Sequence, residues 1–180
     1  MMEELKKSKL WVMVGAPGAG KSYWIYNHIN FFTGSKDVIS RDVIRFNLLE
    51  EDDDYFAKEK EVFQSFIRQI KNSLEKNDHT IADATHLNSS SRGKLLRALG
   101  QSLKGVEINA IVIDTCLAKC IEQNAQRGGR KLVPESALRS MFSNITMPDF
   151  EEGFDNIYIY TKADDTITYR IIKKNNETKE

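Results

Sequence analysis

The chain has 180 residues, 41% of them hydrophobic and 29% charged, which is enough to bury a globular core. Its 26 Lys and Arg balance 26 Asp and Glu, so a surface basic throughout is excluded and any contact with a polynucleotide has to be local. The opening MMEELKKSKL is charged and LWVMVGA is too short for a signal peptide or a membrane span, so a soluble, cytoplasmic protein is expected.

In chain order, the apolar runs LWVMV, DVIS, TIAD, INAIVID and NIYIY each read as a buried strand, and a helical stretch follows each of the first four. That alternation predicts an α/β fold, a mostly parallel sheet with crossover helices on its faces. The longest helix is expected from about Phe56 to Lys76, with Val62, Phe63, Phe66, Ile67, Ile70 and Leu74 on its core face. NSSSRGKLLRALGQSL opens with cap-forming residues and repeats Leu95, Leu96, Leu99 and Leu103 at helical spacing. His28, Tyr23 and Trp24 are read as packing or surface residues of the first helix, and Asp114 as the cap of the helix after INAIVID. His86, in the loop after TIAD, reads either as a substrate contact or as a loop residue without a specific task. Cys116 and Cys120 lie one helical turn apart with no further Cys or His nearby, so reduced thiols and no structural metal are expected. After the turn-like KADD, ITYRIIKK predicts an antiparallel edge strand beside NIYIY, with a frayed tail over 174–180. One domain spans 1–180 on this reading.

Ligands of open α/β sheets bind beyond the carboxyl ends of the strands. Here those ends run into Gly15, Arg41 and Asp42, Asp83 and Asp114. Gly15, Ala16, Pro17, Gly18, Ala19, Gly20, Lys21 and Ser22 spell G-x-x-x-x-G-K-S between a strand and a helix, the P-loop pattern. Its glycines turn backbone N–H groups onto phosphate oxygens, Lys21 reaches the outer phosphates, and the Ser22 hydroxyl ligates Mg²⁺. No N-K-x-D motif for reading guanine accompanies it. Asp42 and Arg45 stand three residues apart on the next helix. They read either as a general base with an anion-holding partner for a phosphoryl acceptor, or as an ordinary helix-terminal ion pair. The stretch NAQRGGRKLVPES carries Arg127, Arg130 and Lys131 between a helix end and Pro134. It reads either as a mobile lid over the phosphates, about 127–133, or as a solvated basic turn.

GAPGAGKS, SRDVIR, IADATHLN and AQRGGRKLVPESALRSM occur together in an order and spacing that resemble the kinase domain of phage-type polynucleotide 5′-hydroxyl kinases, from Val12 to about Met147. The resemblance implies a P-loop NTPase/kinase fold with a small basic lid, ATP as phosphoryl donor and Mg²⁺ as cofactor. By the same resemblance Lys21 and Ser22 bind ATP and its metal, and Asp83 holds the serine or a metal-bound water. Asp42 is the general base, Arg45 positions the acceptor phosphate, Thr85 helps to bind the acceptor, and Arg127, with Arg130 as the next candidate, contacts the ATP phosphates. The acceptor it implies is the 5′-OH of a DNA or RNA end, with no membrane partner. Similar loops and lids occur in small-molecule kinases and in zeta-toxin-like kinases of nucleotide sugars, which stand as the alternative. An ATP-binding switch or interaction module with little turnover is the reading from another class. The chain carries no D-x-D-G-T motif of the phosphatase domain that accompanies the phage kinases, so no end-trimming activity is expected of it.

Overall fold

A computed structural model describes residues 8–163 and 166–174. Six strands form one sheet in the order β2-β3-β1-β4-β5-β6. They are β1 (Lys9–Val14), β2 (Lys36–Ser40), β3 (His79–Asp83), β4 (Glu107–Thr115), β5 (Asn156–Ala163) and β6 (Thr166–Lys173). The first five run parallel, and β6 pairs antiparallel with β5 along the edge. The expected edge strand is therefore present, whereas residues 164 and 165 of the KADD turn and the tail beyond 174 lie outside the described residues.

The central strands β1, β3 and β4 are buried on both faces because they are apolar at successive positions, so the period of two sends each set to a different layer. Leu10, Val12 and Val14 of β1 face one layer with Phe66, Ile70, Leu95 and Leu99. Trp11 and Met13 face the other with Trp24, Phe32, Ile111, Ile113 and Leu138. The first layer is covered by α2 (Arg41–Leu48), α3 (Glu59–Lys76) and α4 (Ser89–Leu99), and the second by α1 (Lys21–Asn27), α5 (Leu117–Ala125) and α6 (Glu135–Ser143). Among the described residues no helix is long and apolar enough to cross a membrane.

Several local expectations shift. The long helix begins at Glu59, three residues after Phe56, and Asp54 to Phe56 belong to a turn-rich connection that follows α2. In α4 the Asn88 side chain accepts from Ser91 N at the N-terminus, and the predicted last turn is a 3₁₀ segment, Gly100–Leu103. Asp114 is not a helix cap: β4 runs through it to Thr115, its Oδ2 accepts from Thr161 Oγ1 at 3.2 Å, and α5 starts after Cys116 without a side-chain cap. Strand pairing with β5 extends one residue beyond Asp114 and holds its backbone extended. His28 closes α1 and stacks on Trp24 with ring centroids 4.5 Å apart, a packing role. Trp24 is buried, whereas Tyr23 is exposed.

Candidate active site

β1 lies at the centre of the sheet with β3 on one side and β4 on the other, so the loop leaving it opens at the point where the chain switches sides. That loop is tied to two neighbouring segments and closed by one bond of its own. Gly15 N donates to Thr85 O at 3.0 Å, Thr115 Oγ1 donates to Ala19 O at 2.9 Å, and Ala19 N donates to Ala16 O at 3.1 Å. Gly18 has φ +79° and packs against α5 so closely that a Cβ there would lie 2.3 Å from the carbonyl oxygen of Cys120. Only glycine fits that position.

Lys21 is buried and donates to the carbonyls of Gly15 at 2.9 Å and Ala16 at 3.1 Å. Burial holds its ammonium below the usual lysine range, with Asp83 acting against that shift. Ser22 donates to Asp83 Oδ2 at 3.1 Å. Burial raises the Asp83 carboxyl above the ordinary range, and Lys21 and the Ser22 hydrogen bond oppose it. Ser22 and Asp83 are hard oxygen donors set side by side, and among the described residues no group of three or more His, Cys, Asp or Glu forms a dedicated metal cage. Such a donor set suits Mg²⁺, which keeps several waters and shares its remaining positions with substrate phosphates.

Across the cleft, α2 starts where β2 ends, and Ser40 caps it by accepting from Val43 N. Helical spacing then puts Asp42 and Arg45 on one face, where Arg45 Nη1 donates to Asp42 Oδ1 at 3.3 Å. Tyr55 joins them: its hydroxyl accepts from Arg45 Nη1 at 2.9 Å and donates to Asp42 Oδ1 at 3.0 Å. Both donors take the same carboxylate oxygen, and no donor among the described residues reaches Asp42 Oδ2. The Asp42 side chain is 59% exposed, so that second oxygen is open to a ligand.

Arg45 itself is nearly enclosed, with its guanidinium over the Tyr55 ring at 4.3 Å and its Nη2 paired with Glu59. The other oxygen of Glu59 takes Arg41, so one carboxylate joins two arginines of α2 to the start of α3. The Glu59 hydrogen bond and the nearby Tyr55 and Asp42 raise the Arg45 pKa despite its burial. The Nε atoms of both arginines are buried without an acceptor among the described residues. Tyr55 and Glu59 escaped the sequence reading, and Arg41 was read only as a residue at the end of a strand: Glu59 lies 14 and 18 residues from its partners, and no local pattern marks such a pair.

Asp42, Arg45, Thr85, Asp83, Lys21, Ser22, Arg127 and Arg130 line one open cleft of about 2200 Å³. An ordinary ligand pocket holds roughly 300–1,000 Å³, so there is room for two ligands. Gly15 and Ala16 sit beneath it, holding Lys21 through their carbonyls. Arg127 and Asp42 both act electrostatically on Lys21 and on Asp83, so the basic segment and the carboxylate of α2 converge on the P-loop. Arg127 makes no side-chain hydrogen bond or ion pair among the described residues, whereas Arg130 Nη1 donates to Glu50 O at 2.8 Å and Asp53 O at 3.4 Å. The basic segment thus bridges the cleft to the acidic run EEDDD, residues 50–54, which follows α2, and Arg130 is engaged there with backbone carbonyls. His86 points away from the cleft: it is buried, and its Nδ1 donates to Met13 O at 2.9 Å. Cys116 is exposed and Cys120 buried, both as free thiols, and burial pushes Cys120 up to about 11.

Similar architectures occur among solved structures. A chain of the Pnkp1/Rnl/Hen1 RNA repair complex superposes with a TM-score of 0.60 at 21% identity, over 79% of this chain and 45% of its own length. This chain therefore spans less than half of that relative. A putative kinase from Chloroflexus aurantiacus gives a TM-score of 0.67 at 13% identity, covering 88% of this chain and 86% of that one. A sugar kinase from Janibacter gives 0.53 at 14% identity, covering 86% and 85%. At these identities the likeness is one of fold, a P-loop kinase-like architecture. Residues 10–148, from the first strand past the basic segment and α6, match a family model described as an AAA domain, and with that match over most of its length the chain belongs to the AAA domain family.

Proposed function

We propose that the protein transfers the γ-phosphoryl group of ATP to an alcohol, namely the 5′-hydroxyl of a DNA or RNA end. The observation that carries this reading is the Asp42 carboxylate, fixed at one oxygen by Tyr55 and Arg45, open at the other, and facing the P-loop across a cleft large enough for two substrates. A P-loop that only switches has no need of an oriented carboxylate on the far wall, and one that hydrolyses needs room only for a water beside the nucleotide, whereas this cleft leaves room for a second substrate.

In this reading Asp42 Oδ2 takes the proton of the acceptor hydroxyl as its oxygen bonds to the γ-phosphorus, and the bond to the β,γ-bridging oxygen breaks to release ADP. Lys21 leaves the Gly15 and Ala16 carbonyls for the outer phosphates, and Arg127 approaches them from the basic segment, so two cations meet the charge that develops there. Ser22, and Asp83 through water, would hold Mg²⁺, which neutralises charge between the phosphates. Thr85, whose carbonyl accepts from Gly15 N of the P-loop, lines the same cleft and in this reading helps to bind the acceptor.

The enclosed state of Arg45 favours a second reading, a small-molecule or nucleotide-sugar kinase, because both its Nη atoms are already engaged by Glu59, Tyr55 and Asp42 rather than turned to an anionic acceptor. Incubation with labelled ATP, Mg²⁺ and a panel of 5′-OH oligonucleotides, nucleosides, sugars and nucleotide sugars separates the two. Label on the oligonucleotide, lost in Lys21→Ala, is expected. Label on sugars alone would select the second reading, and no transfer to any alcohol would reject both.

A further inference from the structure

Resting on that reading, we propose that Phe56, backed by Tyr55, is the platform on which the nucleobase of the acceptor's terminal nucleoside stacks, and so the residue that selects a nucleoside over a lone sugar. Helical periodicity assigns Phe56 to the start of a helix, yet α3 begins only at Glu59 and leaves Phe56 in the connection from α2. There the ring lines the cleft and is 66% exposed. Its neighbour Tyr55 is fixed, with its hydroxyl bonded to Asp42 and Arg45 and its ring under the Arg45 guanidinium. Phe56 meets Tyr55 edge to face, with centroids 4.8 Å apart and planes at 88°, and the Arg45 guanidinium lies 5.6 Å from the Phe56 centroid. An exposed aromatic face is thus held beside the proposed base by a partner that cannot turn away.

Spacing argues for a base rather than a sugar on that face. Tyr55 touches Asp42, and Phe56 sits one aromatic ring further along. A group lying on Phe56 is therefore separated from the reacting hydroxyl by a spacer of ring size. A nucleoside supplies that spacer as its ribose and places a flat π-system beyond it, whereas a lone sugar ends at the spacer. Stacking on an aromatic side chain is tolerant of base identity, so the platform distinguishes nucleosides from sugars without choosing a sequence.

Steady-state kinetics on the full chain test this, with a nucleoside 3′-phosphate and the matching abasic deoxyribose 3-phosphate as acceptors. For the unaltered protein, loss of the base should raise the acceptor KM by about tenfold or more. Phe56→Ala should raise KM for the nucleoside toward the abasic value and leave the abasic acceptor and the ATP KM unchanged, while Phe56→Trp should restore the discrimination. Equal effects of Phe56→Ala on both acceptors, or no effect on either, would overturn the platform while leaving phosphoryl transfer to a 5′-hydroxyl intact. Absence of transfer to any alcohol would remove the reading on which it rests, and the platform with it.

Discussion

Asp42 carries the proposed proton transfer on a single free oxygen, since Tyr55 and Arg45 both bind Oδ1. Asp42→Asn keeps the size and the acceptor for Tyr55 but removes the proton acceptor, so single-turnover transfer should fall roughly a hundred- to ten-thousandfold. ATP affinity, read by titration, should barely move, because the phosphate contacts lie on the P-loop; an unchanged transfer rate would move the base elsewhere, with Asp83 next. A second residue gives a pH signature. His86 is buried, sits at φ +42°, donates from Nδ1 to Met13 O, and is pushed down to about 4 by burial. Its folded pKa lies below the unfolded value of 6.5, so as pH falls from 6.5 to 4 the unfolded chain takes up a proton that the folded chain refuses. Stability attributable to His86 is thus complete above about pH 6.5 and declines by about 3 kcal/mol toward pH 4. His79, also lowered, acts in the same direction, whereas the raised Asp83 acts in the opposite one. His86→Asn tolerates the left-handed backbone and cannot titrate, so denaturant titrations between these pH values should show a shallower acid loss than the unaltered chain. An identical slope would mean that His86 protonates freely when folded.

At the scale of elements, the basic segment between α5 and α6 is anchored at both ends of its reach. Asn124 donates from Nδ2 to Val133 O at 2.7 Å and accepts from Val133 N at 3.2 Å, which closes the base of the loop. Arg130 then crosses to the carbonyls of Glu50 and Asp53, and Lys131 lies 5.5 Å from the Phe46 ring, so the segment rests on the α2 side of the cleft, where the proposed acceptor would lie. Arg130→Ala should raise the acceptor KM about three- to tenfold, the worth of one or two exposed hydrogen bonds, with a smaller change in the ATP KM. A larger loss on the ATP side would return Arg130 to the role expected from the sequence, a contact to the nucleotide. The difference shows what a sequence can carry. Strands were legible because β1 and β4 are apolar on both faces, and the P-loop because its glycines, Lys21 and Ser22 are contiguous. The start of α3 was not, since Lys58 stands at the N-cap without a side-chain hydrogen bond to announce it. The contacts Arg130 makes here were not legible either, because its partners are backbone carbonyls some 80 residues away, and carbonyls leave no mark in a sequence.

For the whole molecule, the P-loop and the α2 wall of the cleft hold their places only if the strands beneath them and the connections above are locked together, and a buried arginine does much of that locking. Arg92 of α4 is fully buried, and every nitrogen of its guanidinium is engaged. Nε and Nη2 grip the two oxygens of Glu152 at 2.7 and 2.6 Å, Nη1 donates to the carbonyls of His86 at 3.1 Å and Thr146 at 2.9 Å, and Nη2 also reaches Thr146 Oγ1 and the Met147 carbonyl at 3.3 Å. One side chain thus joins the loop after β3, which adjoins the Thr85 contact to the P-loop, to the stretch that leads from α6 into β5. The sequence showed α4 only as a leucine-faced helix, because the partners of Arg92 lie up to 60 residues away. Arg92→Met fills much of the same volume but leaves Glu152 charged and nearly buried with no cation to meet it. Breaking a buried pair from one side costs about 3–5 kcal/mol, which for a chain of this size corresponds to a fall in Tm of roughly 6–20 °C. Replacing Glu152 by Gln as well removes the stranded charge, so the double variant should recover part of the loss, as coupled neighbours do. Calorimetry on the two single variants and the double one measures this. Phosphoryl transfer assayed well below the lowered Tm should survive, because Arg92 touches neither substrate. A loss under about 1 kcal/mol for Arg92→Met, or strictly additive losses in the double variant, would reduce the arginine to one polar residue among many.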